Sequence, residues 1–309
     1  MPKQKVKKID IHVHATSWTK EIQPPYYVTK SYKPNEEELL LMLDQAGIEK
    51  AILLSLCSSE CGNLIITSED AYNIAKNYGN RFYWFCGIDP RQISNSENAD
   101  LGYLIMHYKN LGAKGVGELI ANLYVDEPLM DNLFYHCQEC DMPVIIHISP
   151  PPKKAGQATG CYGIIDDLGL PRLEKILKKY PKLKVIGHSQ PFWSEISADV
   201  TEETRNTYPS GKVKEGRLFK LLRDYENLYC DLSANSGLNA MERDKESAVK
   251  FLNEFSDKVM FGTDICAPEN NHHLAISDFY DELYEQGLIS ELVYKKICRE
   301  NAIRILKLD

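Results

Sequence analysis

The chain has 309 residues, 43% hydrophobic and 26% charged, with a formal net charge of -8 and a pI near 5.6. That composition is ordinary for a soluble globular protein with a sizeable core, and the acidic balance argues against nucleic acid or an anionic membrane as a partner. The basic start (Lys3, Lys5, Lys7, Lys8) lacks the apolar run of a signal peptide, and no stretch reaches the roughly 20 apolar residues of a membrane span, so a cytoplasmic protein is expected.

The first predicted element is a strand over 6–14. Its alternation puts Asp10, His12 and His14 on one face and Ile9, Ile11 and Val13 on the other. Burying Asp, His and His together is costly unless something charged, such as a metal ion, sits beside them. A helix follows over 35–47, with Asn35 as its cap, three glutamates in the first turn and Gly47 at its end. Next come a strand at 51–57, a helix at 68–78 starting from Ser68, a strand at 82–88 and a helix at 97–111. The alternation continues with a strand at 114–118, a helix at 127–141, a strand at 143–148 and a helix at 171–180 between Pro171 and Pro181. A strand at 183–188, a helix at 213–224, a strand at 227–232, a helix at 245–256 and a strand at 258–264 complete the series.

Eight strands alternating with helices imply a parallel sheet, and eight units in this length imply a closed (β/α)8 TIM barrel, a single α/β domain over 1–309. An open doubly wound sheet wants a glycine-rich loop after the first strand, where this chain has His14-Ala15-Thr16-Ser17-Trp18. The nine cysteines are scattered. Cys86 and Cys230 fall in strands as small core residues, and Cys137-x2-Cys140 has no second pair to complete a zinc site, so reduced thiols are expected.

In such a barrel the active site lies at the C-terminal ends of the strands. His12 and His14 close the first strand, Glu118 the fourth, His147 the fifth, His188 the sixth, Asp231 the seventh and Asp264 the eighth. Histidine and carboxylate donors suit a divalent ion that ionises water near neutral pH. His12, His14 and His147 offer three nitrogens. Asp264 is a fourth ligand, a base for the water, or both. His188 polarises a substrate carbonyl or holds the attacking water. Asp231 reads as a structural carboxylate, and Asp10 as a residue that orients a ligand or loop backbone. His272 and His273 read as loop surface, and His107 and His136 as helical residues outside the barrel.

The loops supply candidates for specificity. The segment after the first strand carries Trp18, Pro24, Pro25, Tyr26, Tyr27 and Tyr32, and the loop after the sixth carries Phe192 and Trp193. Trp18 and Trp193 are expected to wall the substrate, with Arg91 as a carboxylate partner; Lys153, Arg205 and Arg243 are further cationic candidates. The same aromatic loops suit a homodimer contact.

Asp10-x-His12-x-His14, His147, His188 and Gly262-Thr263-Asp264 together resemble the amidohydrolase superfamily. The opening KKIDIHVHA and the ending VMFGTDICAPE resemble its amidohydrolase 2 branch, which includes aminocarboxymuconate-semialdehyde decarboxylase and hydrolases of small carboxylic acids. The resemblance implies His12, His14, His147 and Asp264 as metal ligands, with His188 as a non-ligand or second-metal histidine. Two segments depart from the pattern. Gly115-Val116-Gly117-Glu118 resembles the TatD-type branch, whose glutamate bridges two metals, and His188-Ser189-Gln190-Pro191 differs from the segment of some decarboxylases. Glu118 is thus either a metal ligand or a residue beside the substrate.

The resulting expectation is a metal-dependent hydrolase whose activated water attacks an ester, lactone or amide of a small, carboxylated substrate. Zinc is the expected ion, with manganese or iron accepting similar ligands, and the count is one ion, or two if Glu118 and His188 ligate. The alternative is a nonoxidative decarboxylase on the same residues, in which His188 or Asp264 helps protonate the carbon. Fold alone does not choose between them.

Overall fold

The computed structural model describes residues 3–26, 30–62, 64–152 and 162–309. Its strands are β1 Lys8–Val13, β2 Ile48–Leu54, β3 Phe82–Phe85, β4 Val116–Leu119, β5 Ala121–Tyr124, β6 Val144–Ser149, β7 Gly163–Ile165, β8 Val185–His188, β9 Leu228–Asp231 and β10 Val259–Met260. Parallel pairing runs β1-β2-β3 and β4-β6-β8-β9-β10. Backbone hydrogen bonds close both seams. Cys86 N–H donates to Gly115 O at 3.0 Å and Gly117 N–H to Cys86 O at 2.9 Å, joining β3 to β4. Ile11 N–H donates to Phe261 O at 3.1 Å and His14 N–H to Ile265 O at 2.8 Å, joining β1 to the chain around β10. The eight expected strands thus form one ring, the TIM barrel.

β5 and β7 were not anticipated. β5 leaves β4 after one residue, and β7 pairs in parallel with both β5 and the end of β6, extending the wall beside the site. The last strand is shorter than expected: Gly262, Thr263 and Asp264 have left it, and Asp264 turns with φ 56°. β1 also breaks its simple alternation. A register shift falls between Asp10 and Val13. Ile9 and Ile11 pack in the barrel interior with Ile52, Leu54, Phe85, Ile145, Ile186 and Met260, yet His12 and His14 also face inward above them. Such an irregularity re-aims side chains, which is how one short strand both fills the barrel floor and supplies its rim.

The helices form where the sequence places them. Asn35 accepts from Glu37 N–H and Glu38 N–H, and Glu38 reaches back to the Asn35 N–H, a complete capping box. The second helix is capped by Thr67 rather than Ser68, its hydroxyl accepting from Asp70 N–H. Pro171 opens the fifth predicted helix, which ends at Lys179, before Pro181. Their apolar faces pack on the outside of the strands in one continuous core. The C-terminal segment puts Ala302, Ile305 and Leu306 under the barrel interior. No helix among the described residues is long and apolar enough to cross a membrane.

Candidate metal centre

The polar side chains at the strand ends converge, and their hydrogen bonds fix how each ring is presented. His12 Nδ1–H donates to Asp231 Oδ2 at 2.6 Å. His14 Nδ1–H donates to the Leu54 carbonyl at 3.1 Å. His188 Nδ1 lies 3.0 Å from Asp231 Oδ2 and 3.0 Å from Ser233 Oγ. A ring that spends its Nδ1 proton this way turns a bare Nε2 toward the centre, the tautomer a metal ligand needs. Asp231, read from sequence as a structural carboxylate, therefore orients two histidines at once.

The inward atoms are close. His12 Nε2 and His14 Nε2 are 3.1 Å apart, and Asp264 Oδ1 lies 3.5 and 3.6 Å from them. Glu118 Oε2 is 3.5 Å from His14 Nε2, and Glu118 Oε1 is 3.9 Å from both His12 Nε2 and His188 Nε2. His147 Nδ1–H donates to Glu118 Oε1 at 2.7 Å. Among the described residues, ligand atoms within 4.8 Å of one another form three sets: His12, His14 and Asp264; His12, His188 and Asp231; and Glu118, His147 and His188. His147 thus groups with Glu118 and His188 rather than with the histidines of β1.

This donor set fits a divalent cation on two counts. Two bare nitrogens 3.1 Å apart repel unless a proton or cation lies between them, and two nitrogens bound to one zinc at about 2.1 Å sit about 3.0–3.4 Å apart. Charge gives the second count. Among the described residues, the ion-pair partners of Glu118, Asp231 and Asp264 are all histidines, with no lysine or arginine. Burial disfavours a charge on His12, but Asp231, Asp264 and Glu118 outweigh it and push its pKa up to about 10. Burial raises Asp231, yet His12 and His188 hold it below the usual carboxylate range. Glu118 is likewise driven well down, burial being overcome by His147, His14 and His12. His14 and His147 are lowered, chiefly by burial, toward the neutral form that ligates. The cluster is short of positive charge.

The backbone pays for this arrangement in strain. Asp264 sits at φ 56° and Ser189, next to His188, at φ 102°, conformations that non-glycine residues adopt mainly when their surroundings impose them. Asp10 pins the Asp264 turn: its carboxylate accepts from His12 N–H at 2.9 Å, Thr263 N–H at 3.0 Å and Thr263 Oγ1–H at 2.5 Å. Gly262 is required there, because a Cβ would come within 2.5 Å of Asp231 Oδ1.

A cavity of about 300 Å³ opens onto the cluster, lined by His14, Glu118, His147, Asp264 and residues of the neighbouring loops. Its aromatic wall is Tyr26, Tyr32 and Tyr162, and Tyr162 O–H donates to Glu118 Oε2 at 3.2 Å. Several expected wall residues lie elsewhere. Trp193 is buried in the core against Phe192 and Phe251, donating from Nε1 to Asp231 O at 2.9 Å. Trp18 is 49% exposed and outside the cavity lining. Arg91 is engaged with Asp89, Glu60 and the Ala121 carbonyl. Arg205 is fully buried away from the cavity, and Arg243 binds the Ser210 and Gly211 carbonyls. Tyr27 and Lys153 lie outside the described residues. His272 and His273 are not loop surface: they begin the helix His272–Glu285, His272 Nε2–H donates to Thr263 O at 2.8 Å, and His273 is buried. Ser233, just past the seventh predicted strand, and Tyr162, just before β7, carry no motif that marks them in the sequence.

A chain from Bordetella bronchiseptica, an uncharacterised TIM-barrel protein, superposes with a TM-score of 0.62 at 18% identity, covering 98% of this chain and 99% of that one. A 5-carboxyvanillate decarboxylase from Novosphingobium aromaticivorans, complexed with manganese, gives a TM-score of 0.60 at 18% identity over 97% and 96% of the two chains. An Acinetobacter baumannii protein named as a probable 2-pyrone-4,6-dicarboxylic acid hydrolase gives 0.59 at 12% identity over 98% and 100%. These likenesses show the fold. No curated protein matches by sequence. The model of the family described as Amidohydrolase (Amidohydro_2) matches residues 103–308, which span the ends of β4, β6, β8, β9 and β10; the chain belongs to the amidohydrolase 2 family.

Proposed function

We propose that this chain is a metal-dependent hydrolase of a small carboxylated molecule, with an ester, lactone or amide as the bond cleaved. The carrying observation is the place of Glu118 between two donor sets, His12 with His14 and Asp264 on one side and His147 with His188 on the other. These residues would hold one divalent ion, or two with Glu118 and His188 among the ligands. Zinc is the proposed metal, manganese and iron accepting similar donors. Bound there, the metal supplies Lewis acidity and a water that ionises near neutral pH. Asp264, partly open to the cavity, takes the proton of the attacking water and returns it to the leaving group. Asp231 and Ser233 keep His12 and His188 from rotating. If His188 is not a ligand, its Nε2 would be free to stabilise an oxyanion.

Nonoxidative decarboxylation is the second reading. It is favoured by fold neighbours named as decarboxylases, from Rhizobium as well as Novosphingobium. There Asp264 or His188 delivers a proton to the carbon that loses carbon dioxide. Metal content per chain is the first test: two equivalents support Glu118 and His188 among the ligands, and none, with no uptake of added metal, overturns both readings. Turnover in ¹⁸O-labelled water then separates them. A hydrolase incorporates the label in its product, whereas a decarboxylase releases carbon dioxide without consuming water.

A further inference from the structure

The strands β5 and β7 lie outside the barrel ring, and they bring to the metal cluster a side chain that no ring strand supplies. β7 pairs in parallel with β5 and with the end of β6, Ile164 opposite Ile148 and Ile165 opposite Ser149. The approach is close. Gly163 sits at φ 133°, and a Cβ there would come within 2.3 Å of the His147 carbonyl oxygen. Glycine is therefore what lets β7 close on the strand that carries His147. The residue before it is Tyr162, held by its carbonyl, its ring and its hydroxyl. The Ser149 hydroxyl donates to the Tyr162 carbonyl. The ring packs on Leu56, Ile66 and Ile120 and stands edge-on to His147, with centroids 4.8 Å apart and planes at 82°. The O–H donates to Glu118 Oε2 at 3.2 Å.

A tyrosine of the cavity wall that meets a carboxylate by chance would be the plain account. Tyr162, however, touches both members of the Glu118–His147 pair, and Glu118 is partnered oxygen by oxygen. Its Oε1 accepts from His147 Nδ1–H at 2.7 Å, and its Oε2 accepts from Tyr162. A carboxylate has about four acceptor positions, so these two donors leave about half of them for other partners. The inward Nε2 atom of His14 lies 3.5 Å from Oε2, and those of His12 and His188 lie 3.9 Å from Oε1. With His147 alone, the carboxylate could turn about its bond to the chain and carry Oε2 away from His14. A phenol is neutral at working pH, so it orients Glu118 without adding a positive charge that would compete with a cation.

We infer that Tyr162 is a positioning residue of the metal centre: its hydroxyl fixes Oε2 of Glu118 and so sets how tightly that carboxylate helps to hold a divalent ion. This inference rests on the proposed function only for the presence of a metal at the cluster.

The test strips the full-length protein of metal and titrates it with zinc against a competing chelator. Cobalt(II) is then loaded to saturation and its visible absorption bands, which follow the geometry of the ligands, are recorded. Tyr162→Phe keeps the ring against His147 and removes only the hydroxyl. It should lower zinc affinity about tenfold, as expected for a group that orients a metal ligand, and shift the cobalt bands. Tyr32→Phe is the control. Tyr32 lines the same cavity, but its O–H is spent on Glu38 Oε1 at 3.1 Å, so both readouts should stay at their wild-type values. Unchanged zinc affinity or unchanged cobalt bands in Tyr162→Phe, or an equal change in Tyr32→Phe, overturns the inference. A wild type that takes up neither ion overturns it together with both functional readings. Tyr162-dependent affinity and bands in an enzyme that turns over without incorporating ¹⁸O uphold the inference and defeat hydrolysis alone.

Discussion

The two ends of the barrel both carry charge, and they settle it differently. At the N-terminal end, buried Lys8 meets Asp281 Oδ1 at 2.7 Å and Ser277 Oγ at 2.8 Å. Lys109, Lys114, Lys184 and Lys307 gather around a crevice of about 210 Å³ there. Each has a protein partner: Lys109 the Cys140 carbonyl, Lys114 the Lys307 carbonyl, Lys184 the Ile305 carbonyl and Lys307 the Asp141 carboxylate. Three of these acceptors are carbonyls at or near helix C-termini, where cations are favoured. At the C-terminal end, the ion-pair partners of Glu118, Asp231 and Asp264 among the described residues are all histidines, and Lys33 faces no acceptor among them. Charge closed within the protein supports the fold, and charge left open marks where a ligand belongs.

The contrast can be broken most severely at Asp264. Asp264→Ala should lower kcat by about 10²–10⁴-fold with the protein still folded, as measured by turnover and thermal melting. A fully active variant would remove Asp264 from the mechanism. Lys8→Met strikes the other end and should do the reverse. It removes the buried partner of Asp281 and leaves Lys5 and the Tyr294 hydroxyl, for a loss of about 1.5–3 kcal/mol in urea unfolding with turnover per folded molecule unchanged. In wild type the same pair carries a pH signature. Burial raises Asp281, but Lys8, with help from Tyr294 and Lys5, outweighs it and lowers the pKa from 3.8. The pair's contribution is therefore full above the unfolded value of 3.8 and fades as pH falls through the lower folded value. Lys8→Met should flatten that acid limb.

Gly262→Ala sharpens the contrast more finely. The added methyl meets Asp231 Oδ1 at 2.5 Å, so His12 and His188 lose their orienting partner and metal affinity should fall about 10–100-fold in a chelator competition. Removing metal with a chelator should lower the melting temperature of wild type and leave that of His12→Ala nearly unmoved. Lys114→Ala at the opposite crevice carries the smallest expected effect, under about 1 kcal/mol with no change in turnover, because its contacts with the Lys307 carbonyl and Asp309 are long and solvent-exposed.

Much of this was legible in one dimension. Eight short apolar runs separated by capped helices implied the ring, and His12, His14, Glu118, His147, His188, Asp231 and Asp264 were each readable as polar residues at strand ends. Trp18, Trp193 and Arg91 misled because aromatic and cationic loop residues look alike whether they line a cavity, fill a core or pair with a neighbour. Trp193 is core, since its ring packs on Phe251 and its N–H is spent on Asp231 O. Tyr162 was invisible for the opposite reason, a single tyrosine in a loop with no motif around it.

The sequence by itself determined the periodicities, the caps and the residue types at the rim, because these depend on local backbone geometry and on which side chains tolerate burial. Tertiary structure alone decided which nitrogen of each histidine turns inward, that Glu118 stands between two donor sets, and that Tyr162 holds one of its oxygens. Those outcomes depend on acceptors supplied by distant segments, such as Asp231 for His12 and Leu54 for His14, and a hydrogen bond across 219 residues has no local signature.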